Sequence, residues 1–65
     1  DARMQKASLV DVNFKNANLM NAVLEEANLS KANLTGANLE NADLSRSQME
    51  DTKFTSAELR DVYRK

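Results

Sequence analysis

The sequence predicts an all-β solenoid, a parallel β-helix of square cross-section with four five-residue segments per coil and about three coils. Three observations point to it. A large apolar residue recurs every five positions, a small residue stands two positions before it, and charges twenty residues apart alternate in sign. The 65 residues make one small domain, near the lower limit for a self-sufficient core.

The large residues, taken as pentad centres, are Met4, Leu9, Phe14, Leu19, Leu24, Leu29, Leu34, Leu39, Leu44, Met49, Phe54 and Leu59, without insertion or deletion. These twelve form the predicted core. The small site two positions earlier is mostly Ala, with Val12, Ser47 and Thr52 as exceptions. The position just before the centre is Asn or Asp from Asn13 to Asp43, except for Val23. A helix would rotate successive centres by about 140° and scatter them around every side. A flat strand would send them to opposite faces, because the period is odd. Only a chain that turns a corner once per pentad keeps every centre on one interior axis.

The charges choose the number of corners. Residues stacked in adjacent coils lie about 4.8 Å apart, so like charges in register destabilise the stack. An interval of twenty residues pairs Lys6 with Glu26, Glu26 with Arg46, Asp11 with Lys31, Lys31 with Asp51, and Glu40 with Arg60. All five pairs are of opposite sign. Intervals of 15 and 25 each give four like pairs against two opposite ones. Four pentads therefore close a coil.

Between Ala27 and Arg46 the chain reads Ala-Asn-Leu-Ser-Lys, Ala-Asn-Leu-Thr-Gly, Ala-Asn-Leu-Glu-Asn, Ala-Asp-Leu-Ser-Arg. This resembles the pentapeptide repeat family, summarised as A(D/N)LXX, over essentially all of residues 2–63. The resemblance implies a right-handed quadrilateral β-helix, a hand that also follows the general bias of parallel crossovers. The departures at Arg3, Val23, Gln48, Lys53 and Glu58 fall outside the predicted core. Arg64 falls on a centre site, so the β-helix is expected over residues 2–63. Residues 64–65 are read as its end or as the exit to a missing segment. The chain starts at Asp1 rather than a methionine, and is expected to be an excerpt or a processed product.

Chemistry has little to stand on. His and Cys are absent, which removes the usual base, thiol nucleophile and zinc ligands. A regular convex wall supplies no cleft to perturb a carboxylate, Ser or Lys, so no enzyme and no cofactor are expected. The Asn column reads as turn support, because Asn and Asp bond backbone groups near bends. Asn28-Leu29-Ser30 and Asn33-Leu34-Thr35 match the N-glycosylation pattern, a by-product of the repeat. The Met and aromatic centres read as core filling rather than a ligand box.

Four walls follow from the square. The one with Asn13, Lys15, Asn33, Thr35, Lys53 and Thr55 has net charge +2; that with Asp11, Lys31, Glu50 and Asp51 has −2, as does that with Glu40, Glu58, Arg60 and Asp61. The fourth, with Arg3, Lys6, Glu25, Glu26, Asp43 and Arg46, is neutral. Val10, Met20, Val23 and Tyr63 are the apolar residues expected on the surface, and Met20 and Val23 flank one corner as a possible interaction patch. The expected function is a non-catalytic scaffold or protein–protein interaction module within a larger protein or assembly. A neighbouring domain, a protein partner or another copy would cover the open coil ends.

The alternative comes from the family resemblance: a DNA-mimicking binder of DNA gyrase or another type II topoisomerase, giving quinolone or toxin resistance. Three coils spanning ~15 Å would need about eight negative charges to match duplex DNA, and no wall exceeds −2. Nucleic acid and membrane insertion are not expected, since the net charge is −1 with mixed signs and no apolar run reaches six residues. The lack of cysteine fits a reducing compartment, so a cytoplasmic location is expected.

Overall fold

Each pentad of the computed structural model, which describes residues 2–64, consists of a short extended segment and a tight turn. From Met4 to Phe54, the amide three residues past each centre donates back to the centre's carbonyl, as from Ala7 to Met4 (3.1 Å) and from Ala32 to Leu29 (2.9 Å). The third residue of each turn has positive φ and the second does not, the pattern of a type II β-turn. Between corners, parallel bridges link residue i with residue i+20, from Arg3–Val23 through Asn33–Lys53 to Asp43–Tyr63. The coil therefore closes after four pentads. The fold is a right-handed quadrilateral β-helix.

Residues 2–21 make the first coil, 22–41 the second and 42–61 the third, with 62–64 starting another turn. Inward-pointing Ala and Leu alternate within the extended segments, as a period of two requires. In the second coil Ala22, Leu24, Ala27, Leu29, Ala32, Leu34, Ala37 and Leu39 are all fully buried. The cross-section has room for one large side chain per corner, so these layers of four leucines are the centre of the core.

The outer coils bury less. Met4, Leu9, Phe14, Met49 and Phe54 are only partly buried, packed against the leucine core. Leu59, expected in the core, is instead 45% exposed. Its column partner Leu39 lies below, and none of the described residues lies above it. Leu44, at the start of the same coil, is buried because Tyr63 crosses over it, its carbonyl accepting the Leu44 amide at 2.7 Å. Arg64 lies exposed on the end of the stack, so no guanidinium enters the core. Lys65 lies outside the described residues.

Polar groups at inward sites find partners. Ser47 and Thr52 stand where other pentads carry Ala. The Ser47 hydroxyl donates to the Leu44 carbonyl (2.8 Å) and the Thr52 hydroxyl reaches down one coil to the Leu29 carbonyl (2.7 Å). No buried side-chain nitrogen or oxygen among the described residues lacks a partner, which matters because each orphan would cost about 1–3 kcal/mol.

Candidate functional site

The Asn/Asp column before each centre is occupied with the turns. Oδ1 of Asn13, Asn18, Asn28, Asn33, Asn38 and Asp43 accepts the amide two residues on, at 2.9–3.1 Å. This is the local Asx bond that short polar side chains offer at bends. At two of these turns a hydroxyl also donates to the same oxygen, from Thr35 to Asn33 and from Ser45 to Asp43, both 2.6 Å. Ser45 is thereby held nearly fully buried although it occupies a variable position of the pentad. The two glycosylation-like asparagines, Asn28 and Asn33, are half-buried with Oδ1 committed to these turns.

The Asp43 carboxyl is held below its ordinary value of 3.8, first by the Ser45 hydroxyl, then by the Ser45 amide, with the Arg46 charge adding to them against the opposing effect of desolvation. That is a structural cause, a turn bond to the charged form. No group of three or more His, Cys, Asp or Glu among the described residues is placed to hold a metal ion.

The backbone strain sits two residues past each centre, in the column that carries the charge ladder's Lys6, Asp11, Glu26, Lys31, Arg46 and Asp51. Eleven non-glycine residues lie there at φ 56–64°, together with Gly36 at 71°. Six of the eleven are Asn or Asp, which tolerate this region; Lys6, Glu26, Lys31, Arg46 and Ser56 are not favoured in it. The six Asn and Asp of this column, three residues after the turn-supporting one, together with Gly36, are the sequence signal for these bends. At Gly36 a Cβ would collide with Oδ1 of Asn16, one coil below, so Asn16 folds into the space the glycine leaves.

The charge ladder sets the register but not the contacts. Among the described residues the one ion pair joins Arg46 Nη2 to Glu25 Oε2 at 2.6 Å, not Arg46 to the stacked Glu26, and Lys31 makes none with Asp11 or Asp51. With the Arg46 and Glu25 side chains 64% and 36% exposed, such a pair contributes at most about 1 kcal/mol. Of the expected surface apolar residues, Val10 and Tyr63 are exposed at 40% and 50%. Met20 and Val23 are half-buried rather than exposed. Val23 is bridged on both sides, to Arg3 and to Asp43, and the stacked chains shield it; the Met20–Val23 patch is correspondingly small.

At the C-terminal end of the stack a cavity of about 200 Å³ opens among Leu44, Phe54, Leu59, Val62 and Arg64. The N-terminal end shows the partly buried Met4, Leu9 and Phe14.

A square coil of pentads, with its small and large residues inward and its chemistry confined to turn support, defines a solenoid repeat protein. A family model described as "Pentapeptide repeats (8 copies)" matches residues 1–36 and 32–62, and the chain belongs to the pentapeptide repeat family. Among solved structures it is similar to Rfr23, a pentapeptide repeat protein from the cyanobacterium Cyanothece 51142, with TM-score 0.97 and 34% identity over 98% of this chain. It is also similar to HetL, a pentapeptide repeat protein involved in heterocyst differentiation regulation in the cyanobacterium Nostoc sp. strain PCC 7120, with TM-score 0.92 and 32% identity over 94% of this chain. The chain spans 44% of the Rfr23 chain and 29% of the HetL chain. No curated protein matches it. Pentapeptide repeat proteins are generally non-enzymatic structural or interaction modules.

Proposed function

We infer that this chain is a non-catalytic solenoid module that works as a scaffold or protein-interaction surface in a larger protein or assembly. The observation carrying this reading is the division of labour within each pentad. The small and large residues go to the core, and the Asn or Asp goes to the turn. Only outward wall side chains and the two end faces are left for recognition, and shape repeated at about 4.8 Å per coil suits contact better than reaction. HetL is involved in heterocyst differentiation regulation, a kind of role that a recognition surface fills without chemistry.

The contrasting reading, a DNA mimic acting on type II topoisomerases, lacks the charge: no wall exceeds net −2. A gyrase supercoiling assay at physiological salt separates the two. No inhibition by micromolar chain is expected; inhibition at that level would replace the scaffold reading with the mimic.

A further inference from the structure

One wall of the stack differs from the other three in carrying no carboxylate. It is built from residues 12–16, 32–36 and 52–56, and none of them is Asp or Glu, although the chain has ten acidic residues. Lys15 and Lys53 give this wall its net charge of +2. On one of its rungs the side-chain bond that supports the turn is also missing.

The rung below shows what that bond is. Asn33 Oδ1 accepts both the Thr35 amide (3.0 Å) and the Thr35 hydroxyl (2.6 Å). Asp43 Oδ1 accepts the same pair of donors from Ser45, at 3.0 and 2.6 Å. A carboxylate suits such a pair, and the Ser45 hydroxyl and amide hold the Asp43 carboxyl below its ordinary value. Lys53 and Thr55 repeat the Asn33–Thr35 arrangement with one change. Lys53 is bridged to Asn33, its carbonyl accepts the Leu34 amide (2.8 Å), and the Thr55 carbonyl accepts the Gly36 amide (2.8 Å). The two rungs are therefore in register, and Ser56 turns its corner at positive φ as Gly36 does. The side chain at position 53 carries an ammonium in place of an oxygen. The Thr55 amide accordingly finds no acceptor among the described residues, and Lys53 forms no ion pair among them. From Arg3 to Glu58 this combination occurs once. The other departures from Asn or Asp in the column, Arg3, Ser8, Val23, Gln48 and Glu58, are each followed two residues on by a side chain without a hydroxyl.

We propose that Lys53 and Thr55 form a carboxylate-binding site, and that this wall docks an acidic segment of a partner protein. One oxygen of an Asp or Glu side chain takes the position that Asn33 Oδ1 holds beside Thr35, accepting the Thr55 amide and hydroxyl. The Lys53 ammonium pairs with the same carboxylate, and Lys15 adds a second positive charge two coils below. No carboxylate of the wall itself opposes the approach. Bonds of this charge-assisted kind are about twice as strong as neutral ones. Lys53 and Thr55 are exposed, so the contact weakens as salt is raised.

The proposal rests on the interaction-module reading and names the chemistry of one of its contacts. Topoisomerase inhibition would overturn that reading and leave the Thr55 site as it is; failure of the site leaves that reading standing. Amide NMR of the isotope-labelled chain tests the site, with a capped glutamate tetrapeptide as the probe. The matching glutamine tetrapeptide and inorganic phosphate serve as controls. The Thr55 amide resonance is expected to shift and saturate with the glutamate peptide and to stay in place with the glutamine one. Lys53→Asn supplies the oxygen from within, as Asn33 does for Thr35, and is expected to silence the Thr55 response. Lys53→Ala removes the charge but supplies no oxygen. Its affinity should fall about threefold, as for an exposed ion pair, while the Thr55 amide still shifts. Equal behaviour of the two variants, a Thr55 amide that does not move, or tighter binding of phosphate than of the glutamate peptide overturns the proposal. If a variant fails to fold, the glutamate and glutamine peptides on the unmodified chain decide alone: equal Thr55 shifts refute the site.

Discussion

The second coil and the third are built on the same pentad, with positive φ at the same place in each turn, yet they differ in what they bury. All four centres of the second coil, Leu24, Leu29, Leu34 and Leu39, are at 0% exposure. Along the third, burial falls from Leu44 at 2% to Leu59 at 45% as the covering chain runs out. A leucine in this architecture is not made a core residue by its place in the pentad. It is made one by a coil on each side. The polar substitutions at the inward small site, Ser47 and Thr52, also lie in the third coil, where their hydroxyls bond carbonyls of the stack.

The largest separation between the two coils is expected for Leu→Ala. Leu34→Ala empties a fully buried site and should cost about 2–5 kcal/mol, enough to unfold a domain of this size. Leu59→Ala should cost far less, since the site is already 45% exposed. Urea melts of the two variants check this, and equal losses would mean that the third coil is as well covered as the second.

Overfilling the second coil comes next. Ala32 is fully buried where the wall bends, and Ala32→Leu should destabilise by about 1–3 kcal/mol through overpacking. Its neighbour Lys31 is exposed, so Lys31→Ala should change the melting temperature little. The reverse order in thermal melts would remove Ala32 from the interior.

A smaller effect is expected at the turns. Gly36→Ala brings a Cβ against Asn16 Oδ1 at positive φ and should cost about 1 kcal/mol, because Ala is disfavoured where Gly adopts φ > 0. In an Asn16→Ala background the steric part disappears and only the dihedral cost remains. A double-mutant cycle between positions 16 and 36 measures the coupling, and a zero coupling would show that Asn16 does not fold over the glycine.

The smallest effect at neutral pH is expected for Asp43→Asn. Asn accepts the Ser45 amide as Asn28 and Asn33 accept theirs. The difference appears in acid. The folded-state carboxyl lies below its ordinary 3.8, so its contribution is complete above that value and is lost as pH falls through the lower folded one. Stability of the unmodified chain should therefore drop more steeply below pH 3.8 than that of Asp43→Asn. Parallel acid titrations followed by circular dichroism would contradict the Ser45–Asp43 bond if the slopes coincide.

Much of this protein is legible in its residues, because the pentad is a local rule. The spacing of Leu29, Leu34 and Leu39 excludes helix and flat strand, and the opposite signs of Lys6, Glu26 and Arg46 give the twenty-residue register seen in the bridges. The Asn column announces the turns, since an Asx bond reaches only two residues. Tertiary structure decided what depends on groups distant along the chain. Leu59 and Leu39 occupy the same pentad site, but Leu59 has a coil on one side only, so the one is half exposed and the other buried. Arg46 turns to Glu25 rather than to the stacked Glu26, because a long exposed side chain selects its partner by rotamer and reach rather than by column.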